Sequence, residues 1–490
     1  MSNNKHNNQN DELRRHLNPT HVWAIAFGCV IGWGSFINPG KKFLPNSGVA
    51  GTAIAMLLGA LVMLIIAFSY AYMVPKYPKA GGEFTFAKEC FGKKMAYICG
   101  WFLVAAYLTN VPMNSTAIGL IVDGLDGGAD ILKFGFHYVI AGFDVYMGEM
   151  FFAMAILILF GYLNIIGVKK AGFIQTVLAV LLASSVLILT VAAIVSSKTQ
   201  AINMEPIWGF NKNAAIAAGV DSSGIGQFAH AGTKGVLSAI LATFAIAPWA
   251  FVGFDTIPQA AEEFNFSFKK VSTIMFVAIA FGCFVYVANN TVAAAALTNW
   301  PDRVMAGEWV LLIAAEELLG VFGKVLIGVA VSCAVLSGIM GFYLASSRLM
   351  FSMSRDGYLP SIFSKVDPRY GTPKNAMIFC IIVSLSGPIL GREALGWFVD
   401  MSAIGASIGY FFTSASTLVV LKRDKDGTAF LKLMGILGVV FSIIFIILQL
   451  IPIPGLEGVH FGKESYLMLV AWIIIGVVFS VNQNKRSKRQ

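Results

Sequence analysis

Apolar residues run along this chain in blocks of about 20, separated by short polar connections, the length an α-helix needs to cross a hydrocarbon layer ~30 Å thick. The blocks predict twelve spans, at 20–44, 48–74, 95–122, 150–167, 172–197, 236–264, 270–297, 322–352, 375–391, 395–421, 429–452 and 465–482. The fourth and ninth are short for a full crossing. Around them the sequence divides into a polar segment over 1–18, a ten-helix core over 19–421, two further helices within 422–483 and a basic tail over 484–490. Residues 1–18 show no signal-peptide pattern and are expected to be retained.

Composition agrees with this pattern. With 57% apolar and 12% charged residues and a mean hydropathy of +0.74, a chain of 490 residues has too little polar surface to cover a water-soluble body. The expected fold class is an all-α polytopic membrane protein. Basic pairs such as Arg14-Arg15, Lys93-Lys94, Lys169-Lys170, Lys269-Lys270 and Lys422-Arg423 fall on one side of the membrane, while the opposite connections carry Asp123, Asp126, Asp130, Glu316 and Glu317. Lys41 and Lys42 are the main exception. Both termini are therefore expected in the cytoplasm, with the protein in the cell (plasma or inner) membrane. The formal charge of +9 is then mostly orientation charge, which leaves the lipid bilayer as partner and argues against nucleic acid. Six cysteines form no CxxC or Cys/His cluster, so no disulfide, metal or other cofactor is expected.

Candidate chemistry lies in two interrupted spans. Gly28-Cys29-Val30-Ile31-Gly32-Trp33-Gly34-Ser35-Phe36 puts glycines in the middle of the first, where such residues also serve simply to let helices approach. The sixth places Pro248, Gly253, Asp255 and Pro258 at the same depth. Two broken spans, five apart, predict an inverted repeat with its binding site at the breaks. N–H groups of Trp33, Gly34 and Ser35 would face an anion there, and carbonyls near Val30 and Val252 a cation. A zwitterion with a carboxylate and an ammonium on adjacent atoms fits both. Asp255 is the one acidic residue near the centre of a span, a costly place for an unpaired charge. It fits a helix cap before Pro258 or a substrate- or proton-responsive group, and one carboxylate can serve both roles. The histidines all lie outside span centres, so a histidine proton relay is not expected.

Over residues 18–482 these motifs together resemble the amino acid–polyamine–organocation permeases. Ile31 to Phe36 resembles that family's unwound segment, and Pro78-Lys79-Ala80-Gly81-Gly82-Glu83-Phe84 its loop after span two. Phe251 to Asp255, followed by Ala260-Ala261-Glu262-Glu263, resembles its span-six signature, and Arg355-Asp356-Gly357-Tyr358-Leu359-Pro360 its loop after span eight. The resemblance implies a five-plus-five inverted repeat with discontinuous helices 1 and 6, about twelve transmembrane helices in all, the last two additional. Similarity to the family's arginine–agmatine exchanger implies Trp249 as an outer gate, Val252 as a pocket aliphatic and Asp255 in place of a glutamate. It also implies Asn110 in the pocket wall and Phe342 as a stacking aromatic. Two departures stand out. Trp33 occupies a position where relatives have a small residue, and the fifth span has no charge, with Leu182 near the place of a lysine that stands in for sodium in some relatives. Ser332, Ser337, Ser346 and Ser347 offer oxygens to a sodium ion but equally suit helix packing.

The expected function is a secondary active transporter of amino acids, neutral L-amino acids first, working by alternating access. The expected substrate-binding set is Val30, Ile31, Gly32, Trp33, Gly34, Ser35, Asn110, Trp249, Val252, Gly253, Asp255 and Phe342. Gating or coupling falls to Trp249, Asp255 and Glu262, and the Glu262-Glu263 pair at the end of span six can reach Arg14, Arg15 or Arg348. The coupling ion is expected to be H+ or Na+, and the protein a monomer or homodimer. A polyamine or ethanolamine permease is the alternative within the fold, and a non-transporting amino-acid sensor the alternative outside it. An enzyme is not expected, because no nucleophile–base pair or metal site lies at membrane depth.

Overall fold

The computed structural model describes residues 13–140, 143–210, 235–391, 394–453 and 460–487. Most of the connection over 200–234, whose richness in Gly, Ala and Ser reads as a flexible outer cap, lies outside the described residues, as do the ends of the N-terminal segment and the basic tail. Helix α1, Pro19–Val30, begins where the Asn18 side chain accepts the His21 N–H at 2.8 Å, with proline in the first position, where its missing donor costs nothing. It stops at mid-span. The chain restarts as α2, Gly34–Asn38, and passes through one π-helical turn, Pro39–Phe43, into α3, Leu44–Lys76. The first two expected spans are thus joined by a bend at Gly48 and not by a loop. Its φ of 63° suits glycine, and an added Cβ would stand 2.3 Å from the Ile207 carbonyl oxygen.

A short helix α4, Gly82–Phe91, leads to α5, Lys93–Leu125. After it, β1, His137–Ile140, pairs antiparallel with β2, Phe143–Tyr146, with His137 opposite Tyr146. Helices α6, Met147–Ile165, and α7, Val168–Val195, follow. The sixth span comes in three pieces: α8, Val236–Phe244; α9, Ala247–Ala250; and a 3₁₀ helix, Phe254–Glu263. Then come α10, Lys269–Ala295, and two short helices, α11, Trp300–Met305, and α12, Val310–Leu319, ahead of α13, Val321–Arg355. The ninth span is divided into α14, Lys374–Ser384, and α15, Ser386–Leu390. The last three helices are α16, Ala394–Asp424, α17, Ala429–Leu450, and α18, Lys463–Ser487.

Among the described residues, nine helical runs are long and apolar enough to cross a membrane, and one of these, Pro19–Lys76, contains two expected spans. The interrupted sixth and ninth spans complete the twelve. Helices α1, α5 and α13 pack into the interior, whereas Ile194, Val195 and Leu467 are more than 70% exposed on α7 and α18, as faces meeting lipid must be. The start of α1 and the end of the 3₁₀ helix are tied together, Leu17 N–H donating to the Glu263 carbonyl at 2.9 Å and Asn265 N–H to the Leu17 carbonyl at 3.0 Å.

Candidate functional site

The two breaks touch. Past the bond from Ile31 N–H to the Phe27 carbonyl (3.0 Å), the chain leaves α1, and Ser35 closes the next turn by donating its N–H (3.2 Å) and its hydroxyl (2.9 Å) to the Gly32 carbonyl. Among the described residues the N–H groups of Trp33 and Gly34 reach no acceptor, and the buried indole N–H of Trp33 has none either. Of the three backbone donors expected here, two are open and the third is used in the turn. Facing them, Gly253 has a φ of 140° and sits so close to α1 that an added Cβ would stand 2.5 Å from Val30 N and 2.6 Å from Cys29 Cβ. Trp249 covers the far side. A Cβ on Gly34 would meet its ring at 2.4 Å, and its centroid lies 6.1 Å from that of Trp33. Since α9 precedes the break, Trp249 stands on the side away from the start of α1.

Other expected wall residues are near but engaged. Asn110 is buried on α5, its Nδ2 donating to the Ala106 carbonyl and to Ser402 Oγ on α16, each at 2.6 Å. Phe342 on α13 stacks on Tyr107, with centroids 6.5 Å apart. Of the span-eight serines, Ser337 donates to the Gly28 carbonyl at 3.2 Å, while Ser346 and Ser347 bond carbonyls of their own helix.

Below the break lies a cluster of side chains. Asp255 is fully buried but does not cap the helix ahead of Pro258: the 3₁₀ helix already starts at Phe254, and Asp255 turns back to accept the Gly253 N–H on Oδ1 at 2.7 Å. Its Oδ2 is 3.1 Å from the Tyr107 hydroxyl, which is also 3.2 Å from Oε1 of Glu83. Glu83, equally buried, accepts the Tyr70 hydroxyl on Oε1 at 2.7 Å and Gln259 Nε2 on Oε2 at 2.5 Å. A tight turn puts it there. Gly81 and Gly82 have φ of 97° and 42°, and a Cβ on Gly82 would come within 2.8 Å of Pro258. Burial first, and the Asp255 carboxylate second, push the Glu83 carboxyl above the usual range.

Two ion pairs close the end where α1 begins. Glu263 Oε1 lies 2.7 Å from Arg348 Nε with both side chains fully buried. Glu262 takes Arg355 on both oxygens, at 2.5 and 3.1 Å, and accepts the Ala80 N–H at 3.0 Å. Of the partners expected for Glu262-Glu263, Arg348 pairs with Glu263, while Arg14 bonds the Pro368 carbonyl at 2.8 Å. A cavity of about 300 Å³ lined by Arg15, Lys79, Lys88, Glu262, Arg355 and Asp356 opens beneath.

Residues 17–479 match the family model described as Amino acid permease. The chain belongs to the amino acid permease family. This permease is 26% identical to the branched-chain amino acid permease BcaP of Bacillus subtilis, over 97% of its own length and 94% of the relative's. It is 26% identical to the human large neutral amino acids transporter small subunit 2 over 76% of its length, spanning 64% of that protein. A methylthioribose transporter of Bacillus subtilis is 24% identical over 97% and 95% of the two chains. Within the permease's site, sequence reasoning missed Glu83, Tyr107, Tyr70 and Gln259 as one group. The available signal was Gly81-Gly82, a pair that brings backbone close to a neighbour and carries the next side chain with it.

Proposed function

We propose that this permease is a secondary transporter of neutral L-amino acids, not an enzyme, in the plasma or inner membrane with both termini cytoplasmic. It works by alternating access about the meeting point of its two breaks. The observation that carries the reading is the contact between Gly253 and Val30, which sets the two breaks against each other while the N–H groups of Trp33 and Gly34 stay open in one of them. The substrate carboxylate is assigned to the N–H groups of Trp33 and Gly34, with the Trp33 indole N–H nearby. The ammonium is assigned to carbonyls near Val30 and Val252, where helix ends favour a cation.

These contacts read only what all α-amino acids share, so the walls must choose the side chain, and Trp33, Trp249, Val252 and Phe342 make apolar walls. Asp255 is already engaged by Gly253 and Tyr107, which favours neutral over cationic or polyamine substrates. Two of the relatives carry names for branched-chain and large neutral amino acids, in support. Trp249 closes the outer side, and Glu262 with Arg355 the cytoplasmic side.

The test is uptake of a labelled panel into proteoliposomes holding the full chain, empty or preloaded, beside Asp255→Asn. Saturable uptake of leucine-like amino acids is expected. Movement of putrescine, ethanolamine or methylthioribose with no amino acid would overturn the assignment.

A further inference from the structure

We propose that Glu83 and Asp255, bridged by the Tyr107 hydroxyl, form a proton-binding site that holds one proton between the two carboxyls and exchanges it as the break opens. The link to transport rests on the function proposed above; the proton site itself stands on the geometry of the cluster.

A count of donors makes the case. Tyr70 serves Glu83 Oε1, Gln259 serves Glu83 Oε2 and the Gly253 N–H serves Asp255 Oδ1. The Tyr107 hydroxyl carries a single proton, yet it has three acceptors within 3.2 Å: Glu83 Oε1, Asp255 Oδ2 and the Asp255 carbonyl. With both carboxyls ionised, Tyr107 can satisfy one of them and must turn lone pairs on the other. One added proton resolves this. Glu83 then donates to the Tyr107 oxygen, and Tyr107 donates to Asp255.

The surrounding charges lead to the same answer. Among the described residues, every hydrogen bond to either carboxylate comes from a neutral group. Around the pair stand Tyr70 from α3, Tyr107 and Cys99 from α5, Tyr410 from α16 and Cys29 from α1. Of the cations of α13, Arg348 is held by Glu263 at 2.7 Å, Arg355 is held by Glu262, and Lys324 lies at the far end of the helix; Lys88 of α4 pairs with Asp356 at 2.8 Å, and Lys269 and Lys270 of α10 are exposed. Two buried negative charges this close and without a cation cannot both persist, which is how paired carboxylates come to share a proton. The network also ends at the break. Any movement of Gly253 that withdraws its N–H removes a donor from Asp255 and raises the pair's demand for the proton, so occupancy of the break and of the proton site are linked.

Infrared difference spectra of the reconstituted full-length protein, stepped from neutral to alkaline pH, read the proton directly. The carbonyl band of a protonated carboxyl is expected at neutral pH, lost on raising the pH, and absent from Glu83→Gln. In Asp255→Asn it should titrate at lower pH, and in Tyr107→Phe, which keeps both carboxyls, it should shift. Should Glu83→Gln fail to fold, these last two variants carry the test. In the same vesicles Glu83→Gln should lose pH-gradient-driven leucine accumulation about tenfold more than leucine counterflow. Counterflow in the wild type without the carboxyl band overturns the proton site and leaves the transport reading standing. The band without any flux overturns the transport reading alone. A band unchanged across the three variants overturns the assignment to this pair.

Discussion

The meeting point of the two breaks and the cluster just below it adjoin at Gly253 and Asp255 in the sixth span, yet they are polar for different reasons. At the break, polarity comes from main-chain N–H and C=O groups that the helix interruptions leave open, with Trp33, Trp249 and Val252 around them. Below, it comes from side chains: Glu83, Asp255, Tyr107 and Gln259, and then the Glu263–Arg348 pair. Main-chain groups do not titrate and side-chain substitution does not remove them, so they suit recognition of what a whole substrate class shares. Side chains change charge and partner, so they suit coupling and closure. The division implies that variants of the two regions fail in different ways, one by shape and the other by charge.

The largest effect belongs to the charged region. Arg348→Met leaves Glu263 buried and uncompensated, a loss of about 3–5 kcal/mol of stability, whereas replacing both partners with apolar residues should recover most of it. Thermal unfolding of the detergent-solubilised protein checks this, and equal destabilisation by single and double variants would show that the pair matters through packing alone. Gly253→Ala tests the other region. Its new Cβ would meet the Val30 nitrogen at 2.5 Å and its φ would remain in the left-handed region, a strain of about 1–3 kcal/mol. Uptake should fall with stability. At Gly32, where an added Cβ meets nothing within 4 Å, alanine should leave the unfolding midpoint unchanged.

A smaller and graded effect comes from pH. The Glu83 carboxyl is raised in the folded protein, first by burial and then by Asp255, so the native state keeps its proton where the unfolded chain has lost it. That contribution is full below the ordinary glutamate value and fades as pH rises through the raised one. The unfolding midpoint should therefore fall as pH is raised from mildly acid, and Glu83→Gln should flatten the slope. A slope that is identical in the variant would assign the dependence to another group.

Much of this was legible in the chain. Apolar block length gave the spans, and glycine and proline at mid-span marked both interruptions, because each is a local property of backbone and solvent. What the chain hid was tertiary. The bend at Gly48 looked like a loop boundary because its shape is set by Ile207, far along the sequence. Asp255 looked like a helix cap because the cap rule considers only the residues that follow, whereas its oxygens are drawn back to Gly253 and across to Tyr107, 148 positions away. Glu83 looked like a loop residue beside many lysines, since its burial depends on Tyr70, Tyr107 and Gln259 arriving from three other elements.

The smallest effect separates the two ion pairs. Glu262 and Arg355 hold each other through two hydrogen bonds, as Glu263 and Arg348 do through one, and geometry alone would rank the first pair higher. Solvent reverses that order: the Arg355 side chain is 32% exposed and Arg348 fully buried. Water can replace the partner of Arg355 but not that of Arg348, so Glu262→Gln should cost no more than about 1 kcal/mol of stability. Its effect should instead lie in the transport cycle, as a faster opening of this end seen in the exchange rate. A stability loss as large as that of Arg348→Met would mean that water does not replace the lost charge at Arg355, since glutamine keeps an oxygen to accept the Ala80 N–H.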